Sequence, residues 1–241
     1  MINVSLADRV GLIELDRPER RNALDVAQCR RLVDAVGALR ADGARALVVT
    51  GSGTSFCSGA DFDDVYSVGF RDALYTALHA LTDAPVPVVA AVNGPAIGAG
   101  TQLALACDLR VAEPTAVFAV PTARIGLAVD PWTVRRLAQL AGGATARGLL
   151  LACAELGAER GLARGLVDRI GGRVDALALA AEIATLAPLT LAYTKLALDR
   201  DDLPVDDPAL VSAFDRCWAS EDLEEGRRAR VERRRAVFGG R

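Results

Sequence analysis

The sequence predicts an α/β protein built of repeated strand-strand-helix units and closed by a helical C-terminal region. Three observations carry that expectation. Residues 85–110, PVPVVAAVNGPAIGAGTQLALACDLR, run from an apolar strand through a turn at Asn93-Gly94-Pro95 into a small-residue helix over 101–107. Residues 46–50, ALVVT, are a second buried strand, and it too ends in a glycine turn, within GSGTSFCSGADF. From Val174 onward the apolar spacing is helical, with breaks at Pro188 and at the acidic loop 199–207.

Taken in order, VGLIELD at 10–16 reads as a strand, and Arg17-Pro18-Glu19-Arg20-Arg21-Asn22 breaks it into a charged loop. Val26, Cys29, Leu32, Val33, Val36 and Leu39 recur at helical spacing from a start near Asp25, and Gly43 closes the helix. Helical spacing returns between about Arg71 and Thr82. Two short strands, 109–111 and 117–120, are split by Glu113-Pro114-Thr115, and Asp130-Pro131 opens another helix. The spacing places a core in residues 1–185 and a helical region in 186–241. Asp222 and Glu225 are expected to cap the last helix as a D-x-x-E box.

Composition excludes several classes of function. His79 is the sole histidine and Lys195 the sole lysine, so a multi-histidine metal site is ruled out. His79 shares helical spacing with Leu74, Leu78 and Leu81, which suits packing, and nothing around Lys195 supplies the desolvation that a Schiff base needs. The cysteines at 29, 57, 107, 153 and 217 form no C-x-x-C pair and are expected to stay reduced in the cytoplasm. No apolar run reaches the roughly 18 residues that span a bilayer. A net charge of −3 gives no reason to expect nucleic acid. Seven arginines crowd positions 227–241, but those at 227, 228, 230, 233 and 234 pair by spacing with Glu224, Glu225 and Glu232 as a solvated helix face.

The glycine turns suggest the chemistry. The first N–H groups of a helix have no intrahelical partner and sit at the positive end of its dipole, so Gly98-Ala99-Gly100 offers donors to an anion. A dinucleotide fingerprint is the weaker reading, because Leu103 stands where the third glycine of G-x-G-x-x-G belongs.

Five ordered motifs, LDRPERRNALD (15–25), ALVVTGSGTSFCSGADF (46–62), PVVAAVNGPAIGAGTQLALACDLRVA (87–112), FAVPTARIGL (118–127) and AVFGGR (236–241), resemble the crotonase superfamily, also called the enoyl-CoA hydratase/isomerase family. The resemblance implies a spiral of ββα turns, a C-terminal region that forms a homotrimer or a dimer of trimers, and a CoA thioester as ligand with no other cofactor. It implies an oxyanion hole formed by the backbone N–H groups of Ala60 and Ala99. It implies CoA contacts from Arg21, Ala23, Leu24, Ser58, Asp61 and Phe62, and from Phe238, with Arg235 and Arg241 nearby, toward a neighbouring subunit.

The departure from the family is specific. Where the hydratases carry two glutamates, this chain has Gln102 and Thr122, and neither side chain titrates near neutrality. Asp130 stands where some relatives hold a catalytic aspartate, and Asp-Pro is equally a helix cap. The pattern Gln102, Thr122, Asp130, Trp132 is similar to that of catalytically degenerate hydratase-like proteins of actinobacteria that handle fatty acyl-CoA in lipid metabolism. Two functions stay open: a protein that binds acyl-CoA with little hydratase chemistry, and an isomerase or hydratase-like enzyme that uses Asp130.

Overall fold

A computed structural model describes residues 1–61, 64–200 and 203–241. The first turn of the chain is β1 (Ile2–Ala7), β2 (Val10–Leu15) and α1 (Val26–Ala41). The second is β3 (Ala46–Gly51) and α2 (Val68–Thr82), and the third is β4 (Val88–Val92), β5 (Ala96–Ile97) and α3 (Ala99–Ala106). A fourth holds β6 (Leu109–Ala112), β7 (Val117–Ala119), α4 (Pro131–Ala141) and α5 (Gly143–Leu151). Then come β8 (Glu155–Gly157), α6 (Ala158–Ala163), β9 (Arg169–Ile170) and the helices α7 (Arg173–Ala184), α8 (Pro188–Asp199), α9 (Pro208–Trp218) and α10 (Glu221–Glu232).

Both strands of the first turn and the first strand of each later turn enter one six-stranded sheet in the order β1-β2-β3-β4-β6-β9, parallel throughout except for the β1–β2 hairpin. The second strands form a smaller sheet, β5-β7-β8. In the second turn that strand is reduced to two isolated parallel bridges, Leu24 to Ala60 and Cys57 to Ala96. These stitch the first three turns together at one place, and that place is the candidate site.

The central parallel strands β3 and β4 of the large sheet are buried on both faces. Leu47 and Val49 of β3 face a core shared with α1, α2 and α3, while Val48 between them faces Ala176, Ala180 and Ile183 of α7. Glycines permit the close stacking of turns. A Cβ on Gly100 would lie 2.1 Å from the Cys57 carbonyl oxygen, and one on Gly94 would lie 2.1 Å from that of Thr54. No single helix among the described residues is long and apolar enough to cross a membrane.

The structure adds to the sequence expectations and corrects one. Strand β1 was not expected: it lies at the sheet edge, with every residue after Ile2 exposed, so no apolar run marks it. The D-x-x-E box is replaced by a cap at Ser220, whose side chain accepts from the Leu223 N–H. Asp222 and Glu225 instead turn toward the C-terminal segment. Asp222 accepts from the Gly239 and Gly240 N–H groups, and Glu225 from Val237 N–H, Arg228 and Arg234. The pairing expected for the arginines holds for Arg227 with Glu224, Arg228 with Glu225 and Arg234 with Glu232.

Lys195 has a structural role that its surroundings in sequence did not suggest. It is buried, pairs with Asp108 at 2.8 Å and donates to the carbonyls of Leu81 and Val86, fastening α8 to the end of α2.

Candidate functional site

A cleft of about 720 Å³ opens where the stitched turns meet α2 and the turn at Pro121–Ile125. Two residues that line it, Ala60 and Ala99, have backbone N–H groups left out of the neighbouring hydrogen bonds, and the cause is visible in each peptide. The carbonyl of Gly59 accepts from Leu24 N–H at 2.8 Å, and Asp61 N–H donates to the Leu24 carbonyl at 2.7 Å. A trans peptide points its N–H opposite to its C=O, so the Ala60 N–H faces away from Leu24. The Gly98 carbonyl likewise accepts from Gln102 N–H inside α3, which turns the Ala99 N–H outward from the helix start. Neither N–H donates to a backbone carbonyl among the described residues, and both alanines line the cleft.

The loop carrying Ala60 is fixed by a guanidinium that sequence reasoning overlooked. Arg17 pairs with Asp25 at 2.8 Å and with Asp61 at 3.3 Å, and donates to the Ala23 carbonyl at 3.1 Å. A planar fork with several donors suits this three-way bracing. Asn22, with φ 57°, completes it: its side-chain amide donates to the carbonyls of Ser52 and Ser55, and its Oδ1 accepts from Arg17 N–H. The long-range pairing of Arg17 with Asp61 has no local periodicity that could have disclosed it.

Of the residues expected at the site, Arg21, Ala23, Ser58, Ala60, Asp61, Ala99, Gln102 and Thr122 line the one cleft. Leu24 is buried beneath it and acts through its backbone. Phe62 lies outside the described residues. Phe238 is half-buried beside Gly226 of α10, away from the cleft lining.

Asp130 is the N-cap of α4, its Oδ1 accepting from Thr133 N–H at 3.1 Å, and it is not among the cleft-lining residues. Gln102, only 4% exposed, donates from Nε2 to the Thr133 hydroxyl oxygen at 2.9 Å. Thr122 is carried by the 3₁₀ turn that Pro121 begins and Gly126 ends in the left-handed region.

Other residues of the cleft lining include three with polar or charged groups. Tyr75 of α2 is one, and burial, then the Asp130 carboxylate, push its pKa above the ordinary value. Arg20 and Arg124 bring positive charge, Arg124 also donating to the Cys153 carbonyl at 3.2 Å. The nearby thiols of Cys29 and Cys57 are pushed up to about 12, chiefly by burial, so they are not available as thiolates. Among the described residues no group of three or more His, Cys, Asp or Glu could hold a metal ion.

Comparison with known proteins gives one answer. Residues 6–241 match the family model for enoyl-CoA hydratase/isomerase. A Mycobacterium tuberculosis protein described as a probable enoyl-CoA hydratase is 46% identical over 243 residues, covering 100% of both chains. A Rhodobacter capsulatus protein of the same description is 35% identical, covering 100% of this chain and 98% of its own. Among solved structures, an enoyl-CoA hydratase/carnithine racemase from Magnetospirillum magneticum superposes with a TM-score of 0.91 at 29% identity, over 100% of this chain and 96% of that one.

Proposed function

We propose, for a chain that belongs to the enoyl-CoA hydratase/isomerase family, that it binds fatty acyl-CoA thioesters in lipid metabolism and has little hydratase activity. The thioester carbonyl is received by the N–H groups of Ala60 and Ala99, an oxyanion hole in which each donor contributes on the order of 10²–10³ in rate wherever an enolate develops. Arg20 and Arg21, which line the cleft, offer charge to the CoA phosphates. Phe238 and the C-terminal segment serve a neighbouring copy in a trimer. The five free thiols fit a reducing, cytoplasmic setting.

The observation that carries this reading is the buried amide of Gln102 fixed to Thr133. Hydration needs one group to take a proton from water and another to deliver one to the α-carbon, each worth about 10²–10⁴-fold. A primary amide and an aliphatic hydroxyl do neither near neutrality. Asp130 would have to serve alone, and one of its oxygens is already engaged by Thr133 N–H.

The test is incubation with a 2-enoyl-CoA in deuterated water, following hydration and α-deuterium uptake, together with calorimetric titration by a saturated acyl-CoA. Tight binding with neither hydration nor exchange is expected, and hydration gained by Gln102→Glu with Thr122→Glu would add support. Exchange that Asp130→Asn abolishes would establish the enzyme reading instead.

A further inference from the structure

The mouth of the cleft joins two kinds of side chain that seldom share a solvent-facing surface. Residues that line the cleft and also stand exposed mark its opening, and three of them are large and apolar: Tyr66 at 69%, Val68 at 63% and Ile125 at 46%. Single exposed apolar side chains are ordinary, but three at one opening form a patch that calls for a partner. The same opening carries cations. Arg20, Arg21, Arg71 and Arg124 are exposed lining residues too, and Glu19 is the one acid of that kind among the described residues. The chain as a whole carries −3, so this opening runs against the overall sign.

Local structure sets the arrangement. Ser67 caps α2, its side chain accepting from Phe70 N–H at 3.0 Å. Val68 and Arg71 stand one turn apart on a shared face at the helix start, while Phe70 and Leu74 are buried in the cleft wall. Arg124 and Ile125 end the 3₁₀ turn, where Gly126 takes the left-handed conformation. Arg71 meets Asp72 at 3.4 Å with both side chains more than half exposed, a pair weak enough to leave the guanidinium to another anion. Arg124 gives one N–H to the Cys153 carbonyl and keeps the rest of its fork.

We propose that this mouth docks on an anionic lipid bilayer, with the arginines on headgroup phosphates and Tyr66, Val68 and Ile125 at the boundary between headgroups and acyl chains. Tyrosine suits that depth, because its ring is apolar and its hydroxyl polar. A long arginine side chain keeps its charge at the headgroups while its stem lies along apolar surface. A lipid surface fits this opening better than a protein does. The apolar side chains stand at the entrance to a cavity of about 720 Å³, and a protein laid across it would leave that space unfilled, whereas protein interfaces pack as densely as interiors. Lipid chains are fluid and conform to such an opening. The docking goes beyond the acyl-CoA reading and does not depend on it; where both hold, an acyl chain passes between bilayer and cleft without crossing water.

Sedimentation with vesicles tests the docking with no thioester present. The protein should bind vesicles of phosphatidylcholine mixed with phosphatidylglycerol, should ignore phosphatidylcholine alone, and should be released by salt. An arginine near an anionic surface is worth about fivefold in partition, so Arg71→Gln with Arg124→Gln should weaken binding by about 25-fold. Tyr66→Ser with Val68→Ser leaves the charge unchanged and should weaken binding as well. All four positions are exposed, so folding is not at stake. Equal binding to the two kinds of vesicle, or binding to mixed vesicles that either double variant leaves unchanged, would overturn the proposal. Failure to bind the mixed vesicles would overturn it too, and arginine-dependent retention on a polyglutamate matrix would then point to an acidic protein as the partner. Calorimetric titration with a saturated acyl-CoA bears on the acyl-CoA reading alone, so the two fail separately.

Discussion

Gln102 and Thr133 meet side chain to side chain at 2.9 Å, in a place where Gln102 is 4% exposed and Thr133 is fully buried. The contact joins α3, whose first turn holds Ala99, to α4. Replacing Thr133 by the near-isosteric valine keeps the backbone cap to Asp130 but leaves Nε2 without an acceptor. A loss of about 1–3 kcal/mol is expected, read as a fall in melting temperature of about 2–4 °C for each kcal/mol.

Gly100→Ala should be far more damaging than its one methyl suggests. The added carbon would sit 2.1 Å from the Cys57 carbonyl oxygen, and that atom is backbone, so relief requires moving the 57–60 loop off α3. Overpacking typically costs about 1–3 kcal/mol, and here the shift also separates Ala60 from Ala99. Calorimetry should show acyl-CoA binding lost even where circular dichroism reports a folded protein. Retained binding would mean that the two N–H groups do not act as a pair.

How much of this was legible beforehand follows from what sequence patterns encode. Ala60, Ala99, Gln102 and Thr122 were reached through the resemblance of their motifs to the family, with the glycine turns after buried strands as a local signal beside it, and all four line the cleft. Arg17 with Asp61, Gln102 with Thr133, and Tyr75 beside Asp130 join residues from separate turns of the spiral, and no periodicity marks such pairs. Ser220 went unnoticed for another reason: Asp222 and Glu225 have the spacing of a capping box, but tertiary partners in the C-terminal segment claim both carboxylates.

Lys195→Met should loosen the C-terminal helices. The substitution strips a buried cation from Asp108 and from two carbonyl acceptors, and breaking a buried pair by removing one partner costs about 3–5 kcal/mol. Urea denaturation should show the loss, and limited proteolysis should cut first around α8. Unchanged protection there would argue that α8 is held by its apolar face alone.

Acid should release the C-terminal segment before it unfolds the core. Arg234, then the Val237 N–H, hold the Glu225 carboxyl down from 4.5 to about 2. A depressed folded-state value means the stabilisation is complete above the unfolded value and fades as the pH falls through the folded one. The segment at 234–241 should therefore gain amide exchange as the pH drops from about 4.5 toward 2. Glu225→Gln should show that faster exchange already at neutral pH. A pH-independent exchange rate, corrected for intrinsic chemistry, would remove Glu225 as the latch.

The two N–H groups of the cleft floor are aimed by carbonyls on the far sides of their own peptides, one bonded to Leu24 and one inside α3. Neither can swivel without breaking a bond that belongs to the fold. Under the proposed function, the entropy of aligning them is lost when the chain folds, and a thioester carbonyl would meet dipoles already in place. The same dependence means that no excised helix or loop can carry the site. Residues 24, 60 and 99 come from three successive turns of the spiral, and the donors exist as a pair only after all three have stacked.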